Sequence, residues 1–405
     1  MRIVYLHQHF TPPDVPAGSR PYEMALRFAA AGHEVHVVAS SRTEVPMMVP
    51  RPTAPDPDGV RVHWIPVKYE TRMGFARRVW AFVVFAVLAG WRARRLKADV
   101  VLSSSTPLTI ALPGVFAKRR RAPMVFEVRD LWPEVPIAMG MLNNPVLRWA
   151  AFRLEQFAYR HADAVIALSP GMADGVVRAG VPVERVFVVP NACDNAQFDV
   201  PAEVGQAFRD GRSWLGDRPL ITYVGTLGRA NGVGYLARLA HEVAQIDPEL
   251  RFLVVGDGPE RVSVARLAAE LGVLDRTFFM EGWIPKSSVP AVLSASDVST
   301  SVFIPLEALE HNSANKFFDT LAAGRPVAVN YGGWHADLVR DHQAGVVLDP
   351  VDLAAAAQSL VTFVRSEKRI EAARRGARQL ADGEFDRDRL TAVALDVLEA
   401  VALRS

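Results

Sequence analysis

The chain has 405 residues, half of them hydrophobic and 22% charged, a length that implies two or three domains with substantial apolar cores. Its 46 Lys and Arg against 44 Asp and Glu leave a net charge of +2, so no global polybasic character points to nucleic acid. The single cysteine, Cys193, excludes an intramolecular disulfide framework and a multi-cysteine zinc site, while ten histidines leave a histidine-based metal site open.

In chain order, Met1-Arg2-Ile3-Val4-Tyr5-Leu6 is too short an apolar run for a secretory signal and reads as a first buried strand. No run reaches the ~18 to 20 apolar residues that cross a bilayer. A cytoplasmic location is therefore expected, with residues 72–97 as the one reservation. Strand 2–7, helix 21–31 and strand 34–39 form a βαβ unit, which requires a parallel sheet. Residues 41–60 hold five prolines and read as a loop. Further strands are expected at 62–66, 99–103, 123–128, 163–168 and 186–190. Residues 201–218 read as a weakly patterned linker. The pattern then restarts, with strands at 220–225, 251–256, 277–280, 298–303, 326–330 and 345–348, a helix over 233–246 and a last helix at about 385–402. The expected class is α/β, two Rossmann-like domains with a cleft between them.

Several chemistries lack support. No Gly-x-Gly-x-x-Gly follows a strand and no Gly-x-x-x-x-Gly-Lys-Ser/Thr occurs, so neither a dinucleotide site nor a P-loop is expected. Asp56-Pro57-Asp58 falls in the proline-rich loop, where turn chemistry accounts for it. No metal site is expected.

The most informative segment is Asn312-Ser313-Ala314-Asn315-Lys316-Phe317-Phe318-Asp319-Thr320-Leu321-Ala322-Ala323-Gly324-Arg325-Pro326-Val327. It reads as a polar cap, a short helix, a glycine stop and a new strand. A helix N-terminus offers free N–H groups to a diphosphate, and Lys316 adds a full charge. Asn315 and Lys316 share a helix face with Asp319, whose carboxylate one turn down can accept from both ribose hydroxyls. A capped helix carrying a surface Lys–Asp pair is the other reading of the same spacing.

This segment resembles the signature of family-4 retaining glycosyltransferases, which have the GT-B fold. Those enzymes usually carry Glu-x7-Glu before Ala-x-Gly-x-Pro-Val; here Asp319 stands at the second Glu and His311, next to Glu310, at the first. The departure resembles a subgroup, the fucosaminyl- and N-acetylaminosugar transferases of bacterial polysaccharide assembly. His7-Gln8-His9-Phe10-Thr11-Pro12-Pro13 and Gly18-Ser19-Arg20 resemble that subgroup's first strand and glycine loop, with Gly18 and Ser19 near phosphate. Half-buried structural packing is the alternative for His7 and His9. Phe126-Glu127-Val128-Arg129-Asp130-Leu131-Trp132-Pro133 matches the subgroup's Arg-Asp-Leu-Trp-Pro. Asp130 would orient a hydroxyl and Arg129 hold a phosphate, unless they are a buried pair that shapes the loop. Val189-Pro190-Asn191-Ala192-Cys193-Asp194 resembles an interdomain turn. Tyr223-Val224-Gly225-Thr226-Leu227-Gly228-Arg229-Ala230-Asn231-Gly232 resembles the diphosphate loop, with Asn231 in place of the usual Lys and Arg229 as a local cation. Glu281-Gly282-Trp283-Ile284-Pro285 resembles the uracil side, with Trp283 beside the base or in the core.

The resemblance implies an N-terminal acceptor domain over 1–198, a nucleotide-sugar domain over 199–384 and a terminal helix over 385–405. It implies transfer from a UDP-sugar as co-substrate, with no cofactor and no metal, to a glycan or polyprenyl-diphosphate-linked acceptor in cell-surface polysaccharide synthesis. Catalytic candidates are His7, Arg129 and Asp130; donor candidates are Gly18, Ser19, Arg229, Asn231, Trp283, Asn315, Lys316 and Asp319. A nucleotide-sugar 2-epimerase and a non-catalytic nucleotide-sugar binding subunit share these features. Residues 79–91 are an apolar run with Trp80 and Trp91, preceded by Arg72, Arg77 and Arg78 and followed by Arg92, Arg94, Arg95 and Lys97; they fit either a helix on an anionic membrane surface, to which the second basic cluster Lys118-Arg119-Arg120-Arg121 would add, or a core helix. The expected location is thus cytoplasmic, peripheral on the inner face of the membrane if that helix binds lipid.

Overall fold

The computed structural model describes residues 1–10, 20–40, 59–67, 74–118 and 122–404. The chain divides into two compact units, Met1–Pro190 with Asp388–Ser405, and Asn191–Arg387.

In the first unit, β1 (Arg2–Leu6), β2 (Glu34–Ser40), β3 (Val60–Ile65), β4 (Val100–Ser104), β5 (Met124–Val128), β6 (Ala164–Ala167) and β7 (Val186–Val188) form one sheet in the order β3-β2-β1-β4-β5-β6-β7. Every pairing is parallel, with Tyr5 between Val37 and Leu102. The central strands are buried along their whole length and largely apolar, as in a parallel sheet covered on both faces. Chain direction across the sheet reverses between β1 and β4. A crevice opens at such a switch point, beyond the carboxyl ends of the strands. His7 and Ser105 are the residues that leave those two ends.

In the second unit, β8 (Leu220–Val224), β9 (Arg251–Val255), β10 (Phe278–Glu281), β11 (Val298–Ser301), β12 (Val327–Val329) and β13 (Gly345–Val347) form a parallel sheet in the order β10-β9-β8-β11-β12-β13. Its switch point lies between β8 and β11, where Gly225 and Val302 leave the strands. Glycine is required beside it: at Gly256, φ +150°, a Cβ would lie 1.9 Å from the Gly225 carbonyl oxygen. All thirteen strands among the described residues lie where the sequence places them.

Two expectations change. Residues 201–218 are not an unpatterned linker but carry helix Ala202–Asp210. Its apolar face is weak because Gly205 lies against the backbone of Ser294, where a Cβ would come within 2.6 Å. Arg209 then ties the helix down through the carbonyls of Ala295, Gly216 and Arg218 and a 2.8 Å bond to Asp297. The apolar run 79–91 lies in helix Phe75–Arg95, which is neither wholly core nor wholly surface: Phe85 is 1% exposed, Trp80 68% and Trp91 53%. The last helix, Arg387–Leu403, counts with the first unit from Asp388 onward. Arg27 donates to Asp388 at 2.5 Å and His33 lies 3.3 Å from Glu399.

Candidate functional site

The first unit gathers polar side chains at the ends of β1, β4 and β5. Arg129 Nη1 donates to His7 Nε2 at 3.3 Å, and the Arg129 amide donates to Ser105 Oγ at 3.0 Å. Burial and the neighbouring Arg129 hold His7 well below the usual imidazole range, so the ring is neutral at pH 7. Burial raises the Asp130 carboxyl to about 6 against the pull of Arg129. The three catalytic candidates therefore stand together, although 122 positions separate His7 from Arg129. Gly18 and Ser19 lie outside the described residues.

Beneath them is an ion pair that the sequence motifs do not single out. Arg20 donates to Glu127 through Nε and Nη2 at 3.0 and 2.9 Å, and Ser104 Oγ donates to the other carboxylate oxygen at 2.5 Å. Arg20 also caps the carbonyls of Val189 and Pro190. Both charges are fully desolvated. Arg20 and Arg129 hold the Glu127 carboxyl below its ordinary value even though burial pushes the other way. Glu127 is the penultimate residue of β5, two positions before Arg129, so this network fixes the strand end that presents Arg129 and Asp130. Its signal in the sequence is Glu127, a lone charge inside the otherwise apolar strand Met124–Val128.

In the second unit, helix Asn315–Ala322 begins after Ala314, and no side chain caps its first turn. The expected polar cap is thus absent, and the N-terminal amides remain for a ligand. Asn315 is the first helical residue and is partly buried. Lys316 and Asp319 do not pair with each other. Lys316 Nζ donates to Asn231 Oδ1 at 2.7 Å and lies 5.2 and 4.8 Å from the ring centres of Tyr223 and Phe303. Its methylene stem passes Gly225, where a Cβ would sit 3.6 Å from Cε. Desolvation lowers the ammonium to about 7, and no carboxylate among the described residues bonds to it. The loop it meets is stiff, because the Thr226 carbonyl accepts from both Tyr223 Oη at 2.7 Å and Asn231 Nδ2 at 2.9 Å.

Asp319 accepts from Lys286 Nζ at 2.5 Å, with side chains 14% and 19% exposed. Lys286 stands one residue beyond the motif that ends at Pro285, so the sequence alone does not flag it. Arg229 is not at this cluster's ammonium; with Gly232, Phe303 and Asn330 it lines an adjoining cavity of about 310 Å³. Trp283 is 44% exposed, which removes it from the core. A buried chain backs the site: Ser301 Oγ meets Tyr331 Oη at 3.0 Å, Tyr331 Oη meets His335 Nδ1 at 3.0 Å, and His335 stacks on Phe317.

The site is thus a desolvated cation without a carboxylate partner among the described residues, and an open helix N-terminus at a parallel-sheet switch point, with a carboxylate one turn away. That arrangement has donors suited to a diphosphate and an acceptor suited to a vicinal diol. Residues 17–192 match the family described as glycosyl transferase 4-like domain, and residues 218–366 match glycosyl transferases group 1. The 2-deoxystreptamine glucosyltransferase of Streptomyces kanamyceticus is 27% identical over 250 residues, 61% of this chain and 63% of that protein, so the match spans under two thirds of the relative's length. Among solved structures, sucrose-phosphate synthase of Thermosynechococcus elongatus superposes with a TM-score of 0.79 at 16% identity over all of both chains. Anabaena Alr3699/HepE, solved in complex with UDP, does so with a TM-score of 0.72 at 16% identity, over 99% of this chain and all of that one. The chain belongs to the glycosyltransferases of GT-B fold, with a 4-like first domain and a group 1 second domain.

Proposed function

We propose that the protein is a retaining, metal-independent sugar transferase that uses a UDP-sugar, of the type that moves N-acetylated aminosugars in bacterial surface-polysaccharide assembly. The observation that carries this reading is Lys316. A cation held at about 7 by desolvation, with an amide oxygen as its partner, is stabilised when an anion arrives. Breaking the anomeric C–O bond leaves negative charge on the diphosphate. Lys316 and the amides of the uncapped helix oppose that charge where a metal ion otherwise would. Asp319, oriented by Lys286, takes the ribose hydroxyls, and Trp283 offers a face to the base.

In the first unit, neutral His7 and Asp130 orient hydroxyls and Arg129 meets phosphate. Ion-pair chemistry on one face of the sugar, implied by the resemblance, fits the absence of a compelling nucleophile among these residues. The acceptor hydroxyl bonds to the anomeric carbon, and its proton leaves with the UDP product.

A lipid-linked acceptor is supported by the surface of helix Phe75–Arg95. Trp80, Val83, Val87 and Trp91 are exposed at helical spacing, and Trp91 contacts Phe116 with ring centres 5.4 Å apart. Arg94 and Arg95 lie over the Phe116 and Trp91 rings. Among the described residues no helix is long and apolar enough to cross a membrane. An exposed aromatic stripe with arginines suits a surface-lying helix at an anionic leaflet.

The test is UDP release from UDP-sugars with and without a polyprenyl-diphosphate-sugar acceptor, with the product's anomeric configuration read by NMR. Acceptor-dependent release with retained configuration, unchanged in excess EDTA, is expected. Release that needs no acceptor points to an epimerase, and binding without turnover to a non-catalytic subunit.

A further inference from the structure

At the other end of the helix that carries Lys316, the second unit holds a cavity of about 410 Å³ walled by Arg325, Arg374, Arg375 and Arg378, with Ser294 and Gly324 among its other walls. Part of this charge has a structural use. Arg325 Nη2 donates to the Ser294 carbonyl at 2.5 Å and Arg378 Nη1 to the Ala322 carbonyl at 3.1 Å, both at helix C-termini. Two carboxylates lie at the edge of ion-pair distance from Arg378, Asp199 among the cavity's own walls, and the others are already engaged. Asp199 and Asp382 are 3.6 and 4.0 Å from Arg378. Asp297 is 4.0 Å from Arg374 but is held at 2.8 Å by Arg209. Glu371 pairs with Arg375 on the exposed face of their helix at 3.1 Å.

What remains is uncompensated. The Nε–H groups of both Arg325 and Arg374 are buried without a hydrogen-bond partner among the described residues. Each such group forfeits its hydration for nothing in return. Burial and repulsion from Arg374 push the Arg325 guanidinium down to about 10. An anion between the two would satisfy both donors and relieve the repulsion at once. Guanidinium forks match phosphate oxygens bidentately, and a tetrahedral phosphate offers enough lone pairs for several forks together.

We propose that this cavity binds a phosphate group, free or as the phosphomonoester of a small molecule, at a site separate from the nucleotide-sugar site. Gly324, with φ +60°, ends the eight-residue helix whose first turn holds Lys316. The two sites therefore lie at opposite ends of that helix, roughly 12 Å apart at 1.5 Å per residue.

Calorimetric titration of the full chain at constant ionic strength, with inorganic phosphate and separately with glucose 6-phosphate, tests this. Saturable binding of one probe or both is expected, persisting in saturating UDP and in Lys316→Ala, and the responsive probe identifies the source. Arg374→Gln is expected to weaken it ~10-fold or more. Arg375→Gln, at an exposed position that leaves the fold unaffected, is expected to weaken it in the same direction. No saturable binding of either probe, displacement by UDP, or undiminished affinity in both variants would overturn the proposal. Loss in Lys316→Ala alone would place the probe in the nucleotide-sugar site and overturn it equally.

Discussion

Lys316 Nζ donates to the side-chain oxygen of Asn231 across 2.7 Å, so the cation at this loop comes from a helix 85 positions away. A loop lysine would be solvated. Lys316 is instead pressed against two aromatic rings and a glycine turn, and its charge is costly until an anion compensates it.

Proton uptake should accompany UDP binding. At pH 8 the ammonium, lowered to about 7, is mostly neutral, and a bound diphosphate favours the charged form. Calorimetry at pH 8 in buffers of different ionisation enthalpy is expected to show net uptake approaching one proton, absent in Lys316→Ala. Equal enthalpies in all buffers for the wild type would show that Lys316 is already charged.

The Lys286–Asp319 pair separates binding from stability. Asp319→Ala removes the ribose acceptor and is expected to weaken UDP binding ~10-fold or more. Lys286→Met leaves the partly buried Asp319 carboxylate unpaired, and urea unfolding is expected to show a loss of about 1–3 kcal/mol. Wild-type UDP affinity in Asp319→Ala would remove the ribose role.

The rate should depend on pH from two sides. Asp130, raised to about 6, becomes ionised as pH rises through that value, whereas Lys316 loses its charge as pH rises through about 7. A kcat/KM profile with limbs near 6 and 7 follows, and Asp130→Asn is expected to flatten the acid limb. Because folding raises the Asp130 pKa, the native carboxylate costs stability above about 6. The Asn variant is therefore expected to be more stable than the wild type at pH 7.5, by up to about 3 kcal/mol, and to melt at a higher temperature. A lower melting temperature would make Asp130 a structural residue.

The membrane reading divides Trp80 from Phe85. Co-sedimentation with anionic vesicles should weaken in salt and fall in Trp80→Ser with the fold intact. Phe85→Ser should instead destabilise the protein by about 3–5 kcal/mol, as expected for a buried aromatic. A wild type that stays in the supernatant at low salt leaves helix Phe75–Arg95 without a membrane role.

Periodicity reveals the sheets because most strands are short, largely apolar runs bounded by turn residues, and strand ends in α/β folds predict where His7, Arg129 and Gly225 emerge. Helix Ala202–Asp210 is hidden from such a reading because it packs glycine against backbone, which leaves no apolar stripe. Pairings such as Lys286 with Asp319, or Arg20 with Glu127, are hidden too, since only the closed sheet brings residues 33 and 107 positions apart together. The same limit explains why Lys316 and Asp319, one turn apart, look like partners in the sequence and are not.

In the proposed function, Lys316 and its helix N-terminus hold the donor diphosphate. Titration of UDP into folded wild type and Lys316→Ala tests it most directly. Removing a charge-assisted hydrogen bond from a desolvated site predicts a Kd about 10- to 150-fold higher in the variant, measured where the variant still unfolds cooperatively. Equal Kd values in the two proteins would contradict the account.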